Sequence, residues 1–324
     1  MNDRAQIRTL PDGRRLHMHD GPIDVIVEAF GAVSEVEVAY RAAASRFVGV
    51  LDELCGELEF LRRRACEAGD LPAGPIARRM LAVVRPYASR TFITPMAAVA
   101  GAVAEEVLET MIAAANLSRA YVNDGGDIAL HLAPGEKFVV GMVERPDRAS
   151  LFGTTTIESR DPIRGIATSG WRGRSFSLGI ANAVTVLADT AAMADAAATV
   201  VANAVDLPGH PRVGRVRACD LAPDSDLGKR LVTQSVGILA PDEIRDALEA
   251  GIRVAESLRG SGLIRAAALN LQGETRVVVP VETGLAPSPS AATEDGASSV
   301  STRKAEGWSR SVDATVPDGS PAHA

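Results

Sequence analysis

An aspartate, a threonine and an asparagine recur at every fourth position of a segment that is otherwise almost wholly apolar. The segment runs from Val184 to Val205 as VTVLADTAAMADAAATVVANAV, and the three polar residues are Asp195, Thr199 and Asn203. On a helix this spacing places all three along one stripe. A carboxylate and a hydroxyl one turn apart offer two oxygen ligands to a hard cation such as Mg²⁺, which completes its shell with water and phosphates.

The same stripe also has a structural explanation. A buried aspartate needs a partner, and Asp195 could find one by capping a nearby backbone segment, while Thr199 could bond back to the helix carbonyl four residues earlier. Asp-x-x-x-Thr is a weak pattern, so the spacing alone favours this alternative. The surrounding segments favour the metal.

A glycine pair lies between two β-like runs upstream. Asp124-Gly125-Gly126-Asp127 separates Ala120–Asn123 from Ile128–Leu132. These dipeptides favour a hairpin turn because they tolerate positive φ. Paired glycines also let a ligand approach the backbone, with Asp124 or Asp127 aimed at it. Both interpretations can hold, because a tight turn can line a cleft.

A third candidate segment ends a strand in small hydroxyl residues. It reads Gly165-Ile166-Ala167-Thr168-Ser169-Gly170, followed by Trp171-Arg172-Gly173-Arg174. Arg164, Arg172 and Arg174 beside glycine N–H groups indicate a local phosphate site. A surface loop with solvated arginines is the rival interpretation.

Helices and strands must position these residues. Apolar residues from Val36 to Leu61 recur at three- and four-residue steps, which predicts one long amphipathic helix. Thr94 and Pro95 are typical of a helix N-cap and first position. Asp189 or Thr190 is expected to cap the helix that carries the polar stripe.

Composition limits the function classes. The 324 residues are 46% hydrophobic, 4% aromatic and carry a net charge of −7, which argues against general nucleic-acid or anionic-membrane partners. Cys55, Cys66 and Cys219 form no disulfide framework, and the first two are placed on one helix, too far apart to bridge. With no signal-like segment, the sequence predicts a soluble, cytoplasmic protein.

The domain organisation follows from composition. Residues 1–280 are expected to form a single domain that ends in a hairpin around Gln272-Gly273. Residues 281–324, rich in Ala, Ser, Pro and Gly, are predicted to be a disordered tail. A homo-oligomer is compatible with this sequence.

Three motifs, in order, resemble those of the ApbE family: Asn123-Asp124-Gly125-Gly126-Asp127-Ile128, Thr168-Ser169-Gly170 and Ala194-Asp195-Ala196-Ala197-Ala198-Thr199. Members of that family are Mg-dependent flavin transferases that cleave FAD and attach FMN to a Ser or Thr of a target protein. The stretch from Thr94 to Gly101 is similar to the shorter, cytoplasmic branch of the family.

The resemblance implies a fold, cofactors and a site. It implies an α+β fold of antiparallel sheets packed with long helices, related to the T-fold, and a flavin nucleotide, FAD, bound with Mg²⁺. It also assigns residues to two groups by their matching positions. The metal ligands would be Asp195 and Thr199, and the cofactor-binding residues would be Gly125, Gly126, Asp127, Thr168, Ser169 and Gly170.

One departure from the family leaves two functions open. The transferases carry a His-Ile-Asp-Pro segment between the second and third motifs, where this chain has Ser175–Asn182 without a histidine. An active chain would be an FMN transferase with a protein acceptor. The alternative is a non-catalytic flavin- or nucleotide-binding accessory protein, in sulfur or homocysteine metabolism by the same resemblance. The catalytic residues stay unassigned.

Overall fold

The computed structural model describes residues 4–66, 68–145 and 148–279. Its strands are β1 Gln6–Thr9, β2 Leu16–Asp20, β3 Ile23–Phe30, β4 Arg119–Asp124, β5 Asp127–Leu132, β6 Lys137–Arg145, β7 Arg148–Glu158, β8 Gly165–Ser169, β9 Ala183–Ala188, β10 Val213–Arg217, β11 Leu231–Val236, β12 Ala266–Leu271 and β13 Glu274–Val278. Its α-helices are α1 Val33–Phe47, α2 Val50–Gly56, α3 Leu58–Leu61, α4 Pro75–Val84, α5 Val99–Ala114, α6 Ala191–Ala204, α7 Ala218–Leu221 and α8 Pro241–Gly260.

Within the described residues, nine strands form one antiparallel sheet in the order β1-β2-β3-β4-β5-β8-β9-β12-β13. The pairs β6–β7 and β10–β11 form two separate two-stranded antiparallel sheets. Helix α5 packs on β4 and β5, α6 on β8 and β9, and α8 on β12 and β13. The fold is α+β with antiparallel sheets packed against long helices, which confirms the predicted fold class.

Both faces of the sheet are covered around β8. Ala167 is buried among the residues of α6, whereas its neighbour Ile166 packs with Leu187 and Ile157 beneath the β6–β7 hairpin. Successive side chains of a strand point to opposite faces, so small residues face the helix and larger ones face the hairpin. The backbone at the start of α6 can therefore lie close to the sheet, where a Cβ on Gly165 would lie 2.0 Å from the carbonyl oxygen of Thr190.

The prediction of one long helix up to Leu61 is wrong. The chain forms α1, α2 and α3 in succession, with Gly49 as the N-cap of α2 and Gly56 as its last residue. Glycine costs about 1 kcal/mol relative to alanine inside a helix, and both breaks occur beside a glycine. Cys55 lies in α2 and Cys66 lies after α3, so the prediction that they share a helix is also wrong.

Other local predictions are confirmed. The turn at Gly125-Gly126 joins β4 to β5, and β12 pairs with β13 around Gln272-Gly273. No pattern in the sequence predicted β1 or α4. Among the described residues, no helix is both long and apolar enough to cross a membrane. The predicted tail lies outside the described residues.

Candidate functional site

A cavity of about 490 Å³ lies beside helix α6. Its described lining comes from α6, from residues 92–100, from residues 169–178 and from residues 222–227. Asp127 at the start of β5 and Arg62, directly after α3, complete it. Four of the eight predicted cofactor and metal residues are part of that lining: Asp127, Ser169, Asp195 and Thr199. Segments far apart in sequence therefore meet where the resemblance implied one site.

Asp195 is held at the point where the N-terminal parts of α5 and α6 touch. A Cβ on Gly101 would lie 2.4 Å from the carbonyl oxygen of Ala191, so only glycine allows this approach. The Gly101 N–H donates to Oδ2 of Asp195 at 3.0 Å. Asp195 thus caps a neighbouring backbone segment, as the structural alternative expected, and it also lines the cavity.

Burial raises the pKa of Asp195 well above its ordinary value, and the nearby charge of Asp127 raises it further, against the Gly101 hydrogen bond. A cation within reach would stabilise the ionised form of such a carboxyl group. Thr190 caps helix α6 by accepting from the Met193 N–H at 3.3 Å. Of the two predicted caps, Asp189 instead pairs with Arg265 through both carboxylate oxygens.

The other two members of the stripe differ from each other. The Thr199 side chain lines the cavity, and within the described part of the chain its hydroxyl has no hydrogen-bond partner, so the predicted back-bond is not present. Asn203 Oδ1 accepts from the Leu178 N–H at 2.8 Å and from Ser177 Oγ at 3.2 Å. Asn203 therefore holds the cavity wall, while Thr199 is available to a ligand.

The β4–β5 turn brings a second carboxylate to the cavity. Gly125 and Gly126 have φ of +64° and +117°, and the Gly126 N–H donates to Asn123 Oδ1 at 2.8 Å. Asp127 Oδ1 accepts from the Thr168 N–H at 3.2 Å. The segment is thus a tight hairpin turn and part of a cleft wall, so its two interpretations hold together.

The carboxylates of this turn are poorly solvated. Burial raises the pKa of Asp124 to about 7, against the lowering effect of the Asp24 N–H and of Arg174. Burial also raises the pKa of Asp127, and the charge of Asp124 adds to that effect. Asp127 and Asp195 line the cavity, and beyond the effect of burial the negative charge of Asp124 raises the pKa of both.

Two residues of the predicted Thr168-Ser169-Gly170 loop contact neighbouring segments of the protein and are not part of the cavity lining. Thr168 Oγ1 lies 2.9 Å from Thr185 Oγ1 on the adjacent strand. A Cβ on Gly170 would lie 2.3 Å from the carbonyl oxygen of Asn182, so this glycine permits close approach of the chain itself. Ser169 lies between them and lines the cavity.

Of the three arginines predicted to form a phosphate site, only Arg174 lines the cavity. Arg164 donates to the carbonyl oxygens of Asp161 and Ser159. The guanidinium of Arg172 lies 4.4 Å from the ring centroid of Trp171. Arg174 lines the cavity and lies over Gly125.

The outer wall of the cavity, formed by residues 222–227, was not predicted from the sequence. Asp224 and Asp226 reach it from a loop after α7, and Phe92 and Phe176 contribute aromatic rings. No local pattern marks these residues. Arg62 belongs to an Arg-Arg-Arg run that is most simply interpreted as a solvated helix end, although it lines the cavity too.

The donor set fits a hard cation only if a ligand contributes oxygens. In the described ranges, no group of three or more His, Cys, Asp or Glu side chains could hold a metal ion. Asp127, Asp195 and Thr199 nevertheless supply carboxylate and hydroxyl oxygens, and the carboxylates lack solvation. Mg²⁺ usually takes one or two carboxylates and completes its shell with water and substrate phosphates. The residues present fit such a shared site.

The family model described as AbpE bacteria matches residues 7–277. Sequence relatives include UPF0280 proteins of two archaea. That of Methanocella arvoryzae is 36% identical over 52% of this chain and 62% of its own length. That of Methanopyrus kandleri is 34% identical over 47% of this chain and 58% of its own length. The chain thus covers less than two thirds of these curated relatives.

Two solved structures have a weaker likeness. The ApbE protein of Thermotoga maritima is 12% identical, with 85% of this chain and 96% of that chain covered and a TM-score of 0.44. The flavin transferase ApbE of Vibrio cholerae is 11% identical, with 85% and 96% covered and a TM-score of 0.43. The assignment rests on the family match, which spans most of the sequence. The chain therefore belongs to the family described as AbpE bacteria, and its resemblance to ApbE proteins is confirmed.

Proposed function

We propose that the cavity beside α6 binds the flavin nucleotide FAD together with Mg²⁺. The observation that carries the proposal is the convergence of Asp127, Asp195 and Thr199, from two separate motifs, on one cavity. The poor solvation of the two carboxylates supports it, because each raised pKa reflects a charge that a cation would stabilise.

Each end of the cavity suits a different part of such a ligand. Asp127, Asp195 and Thr199 would hold the cation, and Mg²⁺ when bound would neutralise charge on the pyrophosphate. Ser169 also lines the cavity, and phosphate oxygens could accept the hydrogen of its hydroxyl. Phe92 and Phe176 offer apolar faces on which an aromatic ring could stack.

Whether the chain transfers FMN depends on the segment that departs from the transferases. Ser175 and Phe176 from this segment line the cavity, and its described lining contains no histidine. A bound nucleotide would therefore meet no imidazole that could move a proton. This favours the second candidate, a flavin- or nucleotide-binding accessory protein, over an efficient FMN transferase.

Two measurements test the proposal. Titration of the purified protein with FAD, with Mg²⁺ and with EDTA, should show binding that depends on the metal. Equal affinity in both conditions would contradict the metal site. Incubation with FAD, Mg²⁺ and a Ser/Thr acceptor peptide then separates the two candidates, because rapid covalent flavinylation with release of AMP would establish the transferase and exclude the accessory role.

A further inference from the structure

The guanidinium of Arg174 occupies the space that a side chain at position 125 would fill. A Cβ built on Gly125 would lie 1.5 Å from Nη2 of Arg174 and 2.6 Å from its Cζ. The space that a side chain at position 125 would take is thus filled by the guanidinium of Arg174. This glycine was predicted to admit a ligand, and in this structure it admits an arginine.

Arg174 reaches a cluster of carboxylates from an otherwise exposed position. Its Nη2 lies 3.9 Å from Oδ1 of Asp124, and the side chains are 62% and 6% exposed respectively. The separation is longer than a hydrogen bond, so charge attraction holds the pair together. Such a contact at a solvent-exposed guanidinium is weak and can be replaced.

The charges around the cavity explain why the guanidinium of Arg174 lies near Asp124. Among the described lining residues are four aspartates, Asp127, Asp195, Asp224 and Asp226, and two arginines, Arg62 and Arg174. Asp124 adds a further carboxylate beneath the turn. Like charges in a poorly solvated site repel strongly, so a positive group near Asp124 and Asp127 stabilises the protein when no ligand is bound.

We propose that Arg174 is an exchangeable counter-cation, which neutralises the carboxylates of the empty site and turns to the nucleotide's phosphates when a divalent cation enters. The inference rests on the proposed function, since it needs a metal and a phosphate ligand in this cavity. A guanidinium binds phosphate oxygens through paired hydrogen bonds. The same side chain would therefore oppose metal binding alone and favour metal-nucleotide binding.

These two effects have opposite signs, which a merely structural role would not produce. Calorimetry should first measure Mg²⁺ alone, and then FAD at saturating Mg²⁺, against wild type and Arg174→Ala. We expect the variant to bind Mg²⁺ about threefold more tightly and FAD about tenfold more weakly. Arg172→Ala is the matched control. Arg172 lies two residues before Arg174, its guanidinium stacks on the adjacent Trp171, and its removal should change neither affinity.

A second variant moves the guanidinium without removing it. Asparagine tolerates positive φ better than other residues with a side chain, and the Cβ of Gly125→Asn would occupy the place of Nη2. Mg²⁺ should again bind more tightly than to wild type. If both affinities fall together in Arg174→Ala, or if neither variant differs from Arg172→Ala, Arg174 is not an exchangeable counter-cation.

The counter-cation role can also be measured without any ligand. In metal-free protein, Arg174→Ala should lower the thermal midpoint, and the effect should largely vanish in an Asp124→Asn background. An unchanged effect in that background would overturn the role of Arg174 even if FAD binds. A wild type that shows this coupling but binds neither Mg²⁺ nor FAD would instead overturn the proposed function and, with it, the exchange.

Discussion

The hydroxyl of Thr94 donates to Oδ2 of Asp226 at 2.5 Å, joining residues 132 positions apart in the sequence. Thr94 is 2% exposed and precedes the turn that leads into α5. Asp226 belongs to the loop that forms the outer wall of the cavity. Thr94 was predicted to cap a helix, but its side chain makes no cap hydrogen bond and ties this loop down instead.

Thr94→Val should loosen the outer wall. It keeps the shape of the side chain but leaves the Asp226 carboxylate without its donor, which costs about 1–3 kcal/mol. We expect a lower thermal midpoint and faster proteolysis within residues 218–230. Thr94→Ser retains the hydroxyl and is the control, so equal effects of both variants would show that the hydrogen bond does not hold the loop.

Asp195→Asn should separate metal binding from folding. The amide oxygen can still accept from the Gly101 N–H, while the poorly solvated charge is removed. Mg²⁺-dependent FAD affinity should fall by at least about tenfold, and the thermal midpoint should stay the same or rise. Asp242→Asn, at a 79% exposed side chain on α8, is the control. If Asp195→Asn changes only stability, Asp195 is a structural residue.

The metal-free protein should lose stability as pH rises. Folding raises the pKa of Asp124 from 3.8 to about 7, so the folded state binds this proton more tightly than the unfolded state. The free energy of unfolding therefore falls as pH increases from about 4 to about 7, and Asp127 contributes in the same direction.

Thermal midpoints in EDTA at about pH 5.5, 6.5 and 7.5 test this sign. The fall should flatten in an Asp124→Asn, Asp127→Asn double variant. Saturating Mg²⁺ should also reduce it if the cation stabilises the ionised carboxylates. A midpoint that rises steadily over this range in EDTA would contradict the prediction.

Asn203→Ala should damage the cavity wall without touching the metal ligands. The Leu178 N–H and the buried Ser177 hydroxyl would lose their acceptor, at a cost of about 1–3 kcal/mol. FAD affinity should fall because Ser175 and Phe176 are no longer held in place, whereas the affinity for Mg²⁺ alone should change little. Equal losses of FAD affinity and Mg²⁺ affinity in this variant would contradict the role of Asn203 in the cavity wall.

Removal of residues 281–324 should leave folding intact. Their composition lacks a periodic apolar pattern that could offset the entropy of ordering. Differential scanning calorimetry of the shortened and full chains should give midpoints within a few degrees of each other. A large drop in midpoint or solubility would show that this segment packs on the domain.

Local patterns in the sequence were sufficient for several elements. The β4–β5 hairpin, the final hairpin and α6 were predicted because their turn residues and caps act over a few positions. The breaks at Gly49 and Gly56 in the predicted long helix were missed, since the apolar period continues through both glycines. The spacing of apolar residues shows which face of a helix is buried. It does not show where one helix ends and the next begins in a new direction.

By itself the sequence identified eight candidate residues for binding a metal and a nucleotide, and four of them, Asp127, Ser169, Asp195 and Thr199, line one cavity. Only the tertiary structure decided which of their neighbours take part. Asn203 and Thr168 were assigned to the fold, because each has a hydrogen-bond partner contributed by a different segment. Asp226 and Phe92 were assigned to the cavity, because the packing of their segments brings both to its wall. Spacing along a chain predicts neighbours within one helix or hairpin, whereas a cavity wall depends on the packing of several elements.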